Sequence, residues 1–335
     1  MNKLFKKLLI ILSIASITVT GVGCSNTKPD ETQQVEAQVE GFEAVQYTYS
    51  DGAQTHEVLV KSPRQRAVTL SQFMTEMLLA LGLEDQMVAT ALLDNPILPE
   101  FEEAYNKIPV LEIKEGHAIS KEAFIATGAD FVSGWDASIS EQTTGSAEEL
   151  ISKDIAPFLA KSYGVDATIE TVYEDFELLG RLFNVQDRAQ KVISQMENNI
   201  KAVTEKVGTI KEEDKVRVLV CDPGVNDALV VGGGLANNLI EIAGGKNVFA
   251  EEGIKPYINV SWESIVAKNP EVILVTDYMA SEPVENKINA LKSHPALKDV
   301  PAIKNNRIYV VGLADLSPGV RNAKVIEQMY GYFFE

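Results

Sequence analysis

Imidazole, thiol and phosphate-cradling chemistry are the first reactions that the residue types of this chain raise. Its three histidines are His56, His117 and His294. A bare zinc or manganese ion needs several imidazole or carboxylate ligands converging on one point. His56 falls in a predicted hairpin and only His117 sits in a loop expected near a cleft, so no metal site is expected. The two cysteines, Cys24 and Cys221, lie far apart and imply no disulfide framework. Cys221, on a predicted apolar strand, reads as a small core residue. Gly232-Gly233-Gly234 precedes a predicted helix, but Asn237 holds the third glycine position of a dinucleotide fingerprint, so the run reads as a turn. No Ser-His-Asp or Cys-His arrangement is present, and no enzyme activity or resident cofactor is expected. What remains is a set of rings with one guanidinium: Phe73, Trp135, Tyr257, Tyr278 and Arg321. Each is expected in a loop beside a cleft, where open α/β sheets bind ligands at the carboxyl ends of strands. A flat or aromatic-rimmed ligand packs on such rings, and Arg321 would pair with an anionic group on it.

The elements that must position these residues centre on Asp187 to Val207. Apolar residues fall there at Ala189, Val192, Ile193, Met196, Ile200, Val203 and Val207, one stripe at helical spacing. Neither Gly nor Pro interrupts it before Gly208, so it can run as a straight rod of about 30 Å. On both sides short β-branched runs alternate with amphipathic helices. Strands are expected at Ala67–Leu70, Met87–Ala91, Ile108–Leu111 and from Phe131 before the rod, and at Val216–Cys221, Leu229–Val231, Val272–Thr276 and Ile308–Val311 after it. The fold class is therefore α/β: two Rossmann-like lobes with mostly parallel sheets, residues 45–186 and 208–335, joined by one long rigid helix at 187–207. A single rigid bridge implies a small closing motion.

The formal net charge of -18 argues against nucleic-acid binding, which needs a basic face. Lys3, Lys6 and Lys7 precede an apolar run from Leu8 to Val22 that is short and Ser/Thr-rich for a membrane span. Gly21-Val22-Gly23-Cys24-Ser25 resembles a bacterial lipoprotein signal, with Gly21 where Leu is commonest. That resemblance implies a signal peptide at 1–23, cleavage before Cys24 and lipidation of that cysteine. Residues 24–44 then form a polar tether that cannot bury enough surface to fold. The expected location is extracytoplasmic, with the membrane contacted through the lipid alone.

Three runs carry a wider resemblance. They are Val68 to Gly82, Val260 to Val275, and the C-terminal series His294-Pro295-Ala296-Leu297, Arg307 to Val311 and Ser317-Pro318-Gly319-Val320-Arg321. In order and spacing they resemble the helical-backbone (class III) substrate-binding proteins of ATP-driven importers, which deliver ferric siderophores, haem and cobalamin. The resemblance implies that Glu76 and Glu263 are exposed lobe-surface carboxylates that dock on arginines of a permease. It also places His294 in a structural His-Pro turn, which leaves His117 as the histidine to touch a haem-like ligand. Pro-Gly-Val-Arg is similar to a family Pro-Gly-Pro-Arg whose arginine lines the cleft. The expected function is that of a monomeric receptor, working with a permease and its ATPase, that captures an iron chelate, siderophore or haem, between its lobes. The alternatives are a cobalamin or corrinoid receptor, a free-metal receptor, and a two-lobed α/β enzyme.

Overall fold

The computed structural model describes residues 41–113, 118–252, 255–279 and 281–335. An antiparallel hairpin, β1 (Val45–Ser50) and β2 (Thr55–Val60), comes first. Asp51 turns the chain by accepting from the backbone of Ala53 and Gln54, and the Tyr47 hydroxyl ties the hairpin to the first lobe at the Pro157 carbonyl, 2.7 Å away.

The first sheet runs β4-β3-β5-β6, with β3 (Ala67–Leu70), β4 (Met87–Thr90), β5 (Phe131–Gly134) and β6 (Ala156–Phe158) all parallel. Every residue of β3 and β5 is buried, as expected of parallel strands covered on both faces. Ser71 caps the helix Gln72–Ala80, its side chain accepting from the Met74 amide. That helix is buried almost throughout, because it lies between the sheet and the second lobe. The strand expected at Ile108–Leu111 reduces to a single bridge between Thr90 and Val110. Pro109 has no amide to donate, so the ladder stops there.

The helix Ile169–Leu182 leads into the helix Gln186–Val207, whose 22 residues span about 33 Å. Its buried face is Ala189, Ile193, Met196, Ile200 and Val203. A Cβ on Gly180 would stand 2.8 Å from the Ala189 methyl, so these two helices touch as closely as backbone allows. The C-terminal helix Arg321–Phe334 packs along the same rod. The bridge is therefore clamped from two sides.

In the second lobe, β7 (Val216–Pro223), β9 (Gly245–Asn247), β11 (Val272–Asp277) and β12 (Ile308–Gly312) are parallel, with β7 flanked by β9 and β11. Two strands depart from the mostly parallel expectation. β8 (Asp227–Val231) runs antiparallel to β7, and β10 (Tyr257–Ser261) antiparallel to β8. Residues 224–226 are too short for a crossover helix, so the chain can only return as a hairpin. Alternate residues of β7 and β11 feed different cores. Val218, Val220, Val272 and Leu274 join the core that continues through the bridging helix into the first lobe, while Leu219, Cys221, Ile273 and Val275 fill a separate core on the opposite face.

Candidate ligand-binding cleft

The carboxyl ends of β5 and β11 face one another across the lobes, and each ends in an aromatic residue. Trp135 follows β5 and Tyr278 follows β11. Trp135 lines three adjoining cavities of about 210, 630 and 30 Å³. Tyr257 and Tyr278 complete the first of them with Cys221, Asp222 and Leu229. The structure thus brings together three of the expected site residues, Trp135, Tyr257 and Tyr278.

Phe73 plays a different part. It is 2% exposed and meets Trp135 edge-on, with ring centroids 4.9 Å apart, so it backs the indole from inside the lobe. Tyr163 also meets the indole edge-on, with ring centroids 5.4 Å apart. Tyr163 is not evident from local sequence, because its turn is held from a distance. Asp175 on the helix Ile169–Leu182 is buried and accepts from the backbone amides of Lys161 and Ser162 at 2.8 and 2.9 Å.

Asp222 is the second residue that sequence reasoning missed, although it closes the apolar run of β7. The Tyr278 hydroxyl donates to Asp222 Oδ2 at 2.9 Å, and Lys287 Nζ approaches Asp222 Oδ1 at 2.7 Å. Lys287 is 4% exposed, donates to the Thr276 carbonyl at 2.9 Å, and lies 4.7 Å from the Tyr278 ring centroid. Burial pushes Tyr278 up to about 12, helped by its bond to Asp222 and the charges of Asp222 and Asp94. Burial likewise raises Tyr257 and Cys221 to about 12. These groups stay protonated at neutral pH, so the cleft offers neither thiolate nor phenolate. The folded values lie above the ordinary tyrosine value of 10.0. The two phenols therefore contribute stability that is complete below pH 10 and is lost as pH rises through about 12. Urea midpoints measured across that window fall steeply for the native chain and less steeply for the Tyr257→Phe, Tyr278→Phe variant; equal slopes would mean that both phenols are solvated.

Arg321 and Glu76 depart most from expectation. Arg321 does not line any of the three cleft cavities. Its Nε and Nη2 grip Glu76 Oε2 and Oε1 at 2.6 and 2.7 Å, while Nη1 reaches Asp315 at 3.1 Å and Nη2 also donates to the Pro96 carbonyl. Glu76 is 2% exposed and accepts from the Leu98 amide as well, so it is a buried partner and not an exposed lobe-surface carboxylate. Asn95 extends this clamp between lobes, donating to the Asp277 carbonyl and accepting from the Ala314 amide. His56 pairs with Asp51, and the His294 ring lies tilted against Trp262 with centroids 4.8 Å apart, which engages both away from the cleft. His117 and Cys24 lie outside the described residues. Glu263 is exposed in the first turn of the helix Trp262–Lys268.

An aromatic-walled cleft between two α/β lobes on one clamped helix defines a two-lobed ligand-binding protein. The chain belongs to the periplasmic binding protein family, whose model matches residues 68–312. It is 22% identical over 299 residues to an uncharacterized ABC transporter substrate-binding lipoprotein of Bacillus subtilis, covering 86% of this chain and 84% of the relative. It is 25% identical over 248 residues to a vitamin B12-binding protein of Vibrio campbellii, covering 74% and 81%. A periplasmic binding protein from Veillonella parvula has a similar structure, with a TM-score of 0.80, 29% identity, and coverage of 87% of this chain and 98% of that one.

Proposed function

We propose that this chain is the extracytoplasmic, lipid-anchored receptor of an ABC importer. It captures an iron chelate or a corrinoid between its lobes and hands it to a permease without chemical turnover. The observation that carries the reading is the convergence of Trp135, Tyr257 and Tyr278, from both lobes, on a cleft whose ionisable thiol and phenols are held neutral. The likeness to a substrate-binding lipoprotein of an ABC transporter supports the importer and the lipid anchor at Cys24, and the likeness to a vitamin B12-binding protein supports the corrinoid alternative.

The burial of Glu76 moves the proposed docking pair. Ser120-Lys121-Glu122 and Ser261-Trp262-Glu263 are equivalent in the two lobes: each serine caps its helix by accepting the amide three residues on, at 3.2 Å. Those helices lead into β5 and β11, the strands that deliver Trp135 and Tyr278. Glu122 and Glu263 are both exposed, so we assign them the contacts with arginines of the permease.

Trp135→Ala tests the receptor reading. Removing the central ring of an aromatic site costs about 2–4 kcal/mol, or roughly 30- to 1,000-fold in Kd. Uptake of cyanocobalamin and of a ferric hydroxamate in cells carrying this variant should fall toward the level of a deletion strain. Unchanged uptake of a ligand that the native chain imports would place its site elsewhere.

A further inference from the structure

We infer that Ile125 and Val266 are a matched pair of apolar anchors that seat in apolar pockets of the permease, one beside each arginine that receives Glu122 or Glu263. This rests on the receptor reading above and on its docking pair, and it deepens both.

The helices Lys121–Ala126 and Trp262–Lys268 belong to one structural unit that is built twice. Each begins at a capping serine, Ser120 or Ser261. At the far end Gly128 and Asn269 both take the left-handed conformation, with φ of 61° and 52°. Their carbonyls accept from the Nε of Arg66 and Arg217 at 2.7 and 3.0 Å. Asp130 and Glu271 then accept from the backbone amides of the same two arginines at 2.8 and 3.0 Å. The exposure of residues 122–129 repeats in residues 263–270 position by position, with Phe124 and Ile265 buried at the same step.

The solvent side of the unit repeats as well. Ile125 is 54% exposed and Val266 38%, and each stands three residues after its glutamate, on the same helix face. Branched apolar side chains are unfavourable at exposed helix positions, where they lose rotamer freedom and gain little burial. A lone one is ordinary; the same one at the same step of both units points to a shared use. An exposed carboxylate–arginine pair contributes little while water surrounds it. An apolar neighbour sealed against the partner excludes that water and strengthens the pair. A second copy of this chain is the poorer occupant. Each face carries a carboxylate on a chain of formal net charge -18, so two copies would set like charges together. Arginines flanked by apolar pockets complement both features.

The test measures uptake of cyanocobalamin and of ferrioxamine B in cells lacking the native copy and supplied with variants of the full chain. Ile125→Ser with Val266→Ser should lower uptake of the imported probe by about tenfold or more, while its Kd for the purified variant stays within about twofold of native. Ile125→Val with Val266→Ile keeps both sites apolar and should transport within about twofold of native. Leu59→Ser changes an apolar side chain of like exposure on the hairpin strand β2 and should leave uptake unchanged. Native uptake by the double serine variant, when Glu122→Lys with Glu263→Lys abolishes it, overturns this inference and leaves the docking pair standing. Native uptake by both of these variants removes the docking pair, and the inference with it. An equal loss in Leu59→Ser, or lost ligand affinity in the double serine variant, also overturns it. Import of neither probe by the native chain removes the chelate-receptor reading and the inference together.

Discussion

Arg321→Ala should lower the unfolding free energy by about 3–5 kcal/mol, the range for breaking a buried ion pair by removing one partner. Among the described residues, Glu76 would then keep only the Leu98 amide and the Gln72 side chain as donors, in a site that is 2% exposed. The lost guanidinium also ties the first-lobe loop, through the Pro96 carbonyl, to the C-terminal helix of the second lobe. Urea denaturation gives the measurement. A paired change, Arg321→Met with Glu76→Gln, removes both charges and should recover much of the loss, because no uncompensated charge remains. A loss under about 1 kcal/mol for Arg321→Ala would mean that the pair behaves like a solvated surface salt bridge.

Glu122→Lys with Glu263→Lys should reduce uptake to background. The two exposed carboxylates stand at equivalent places in the two lobes, so reversing both sets like charges against the arginines proposed to receive them, at several kcal/mol. Ligand affinity of the purified variant should stay within about twofold of native, since neither residue lines the cleft cavities. Wild-type uptake by this variant would dismiss the docking pair; lost affinity would draw the glutamates into the binding site.

Much of the fold is legible in the sequence because its strongest signals are periodic. The stripe from Ala189 to Val203 and the predominantly apolar runs of β3 and β11 each specify an element and its buried face. The cleft was partly legible, since Trp135 and Tyr278 stand directly after such runs. Long-range partners were not legible. Glu76 reads as an ordinary helix-face acid until Arg321, 245 residues later, arrives beside it. Tyr163 depends on a buried aspartate on the next helix, and the hairpin of β7 and β8 on a three-residue turn. Glu122 carried a signal that went unused: Ser-X-Glu ahead of an apolar strand recurs at Ser261, and only the two sheets together show that both places are equivalent.

The most direct test of the cleft as the ligand site uses the Trp262→Phe variant, which leaves Trp135 as the sole tryptophan. Trp262 lies away from the cleft, in tilted contact with His294, so its replacement spares the site. Fluorescence titration with cyanocobalamin and with ferrioxamine B, corrected for ligand absorbance, should give saturable one-to-one quenching by one of them. One-to-one binding seen by calorimetry with the Trp135 emission unchanged would place the ligand elsewhere and contradict the site.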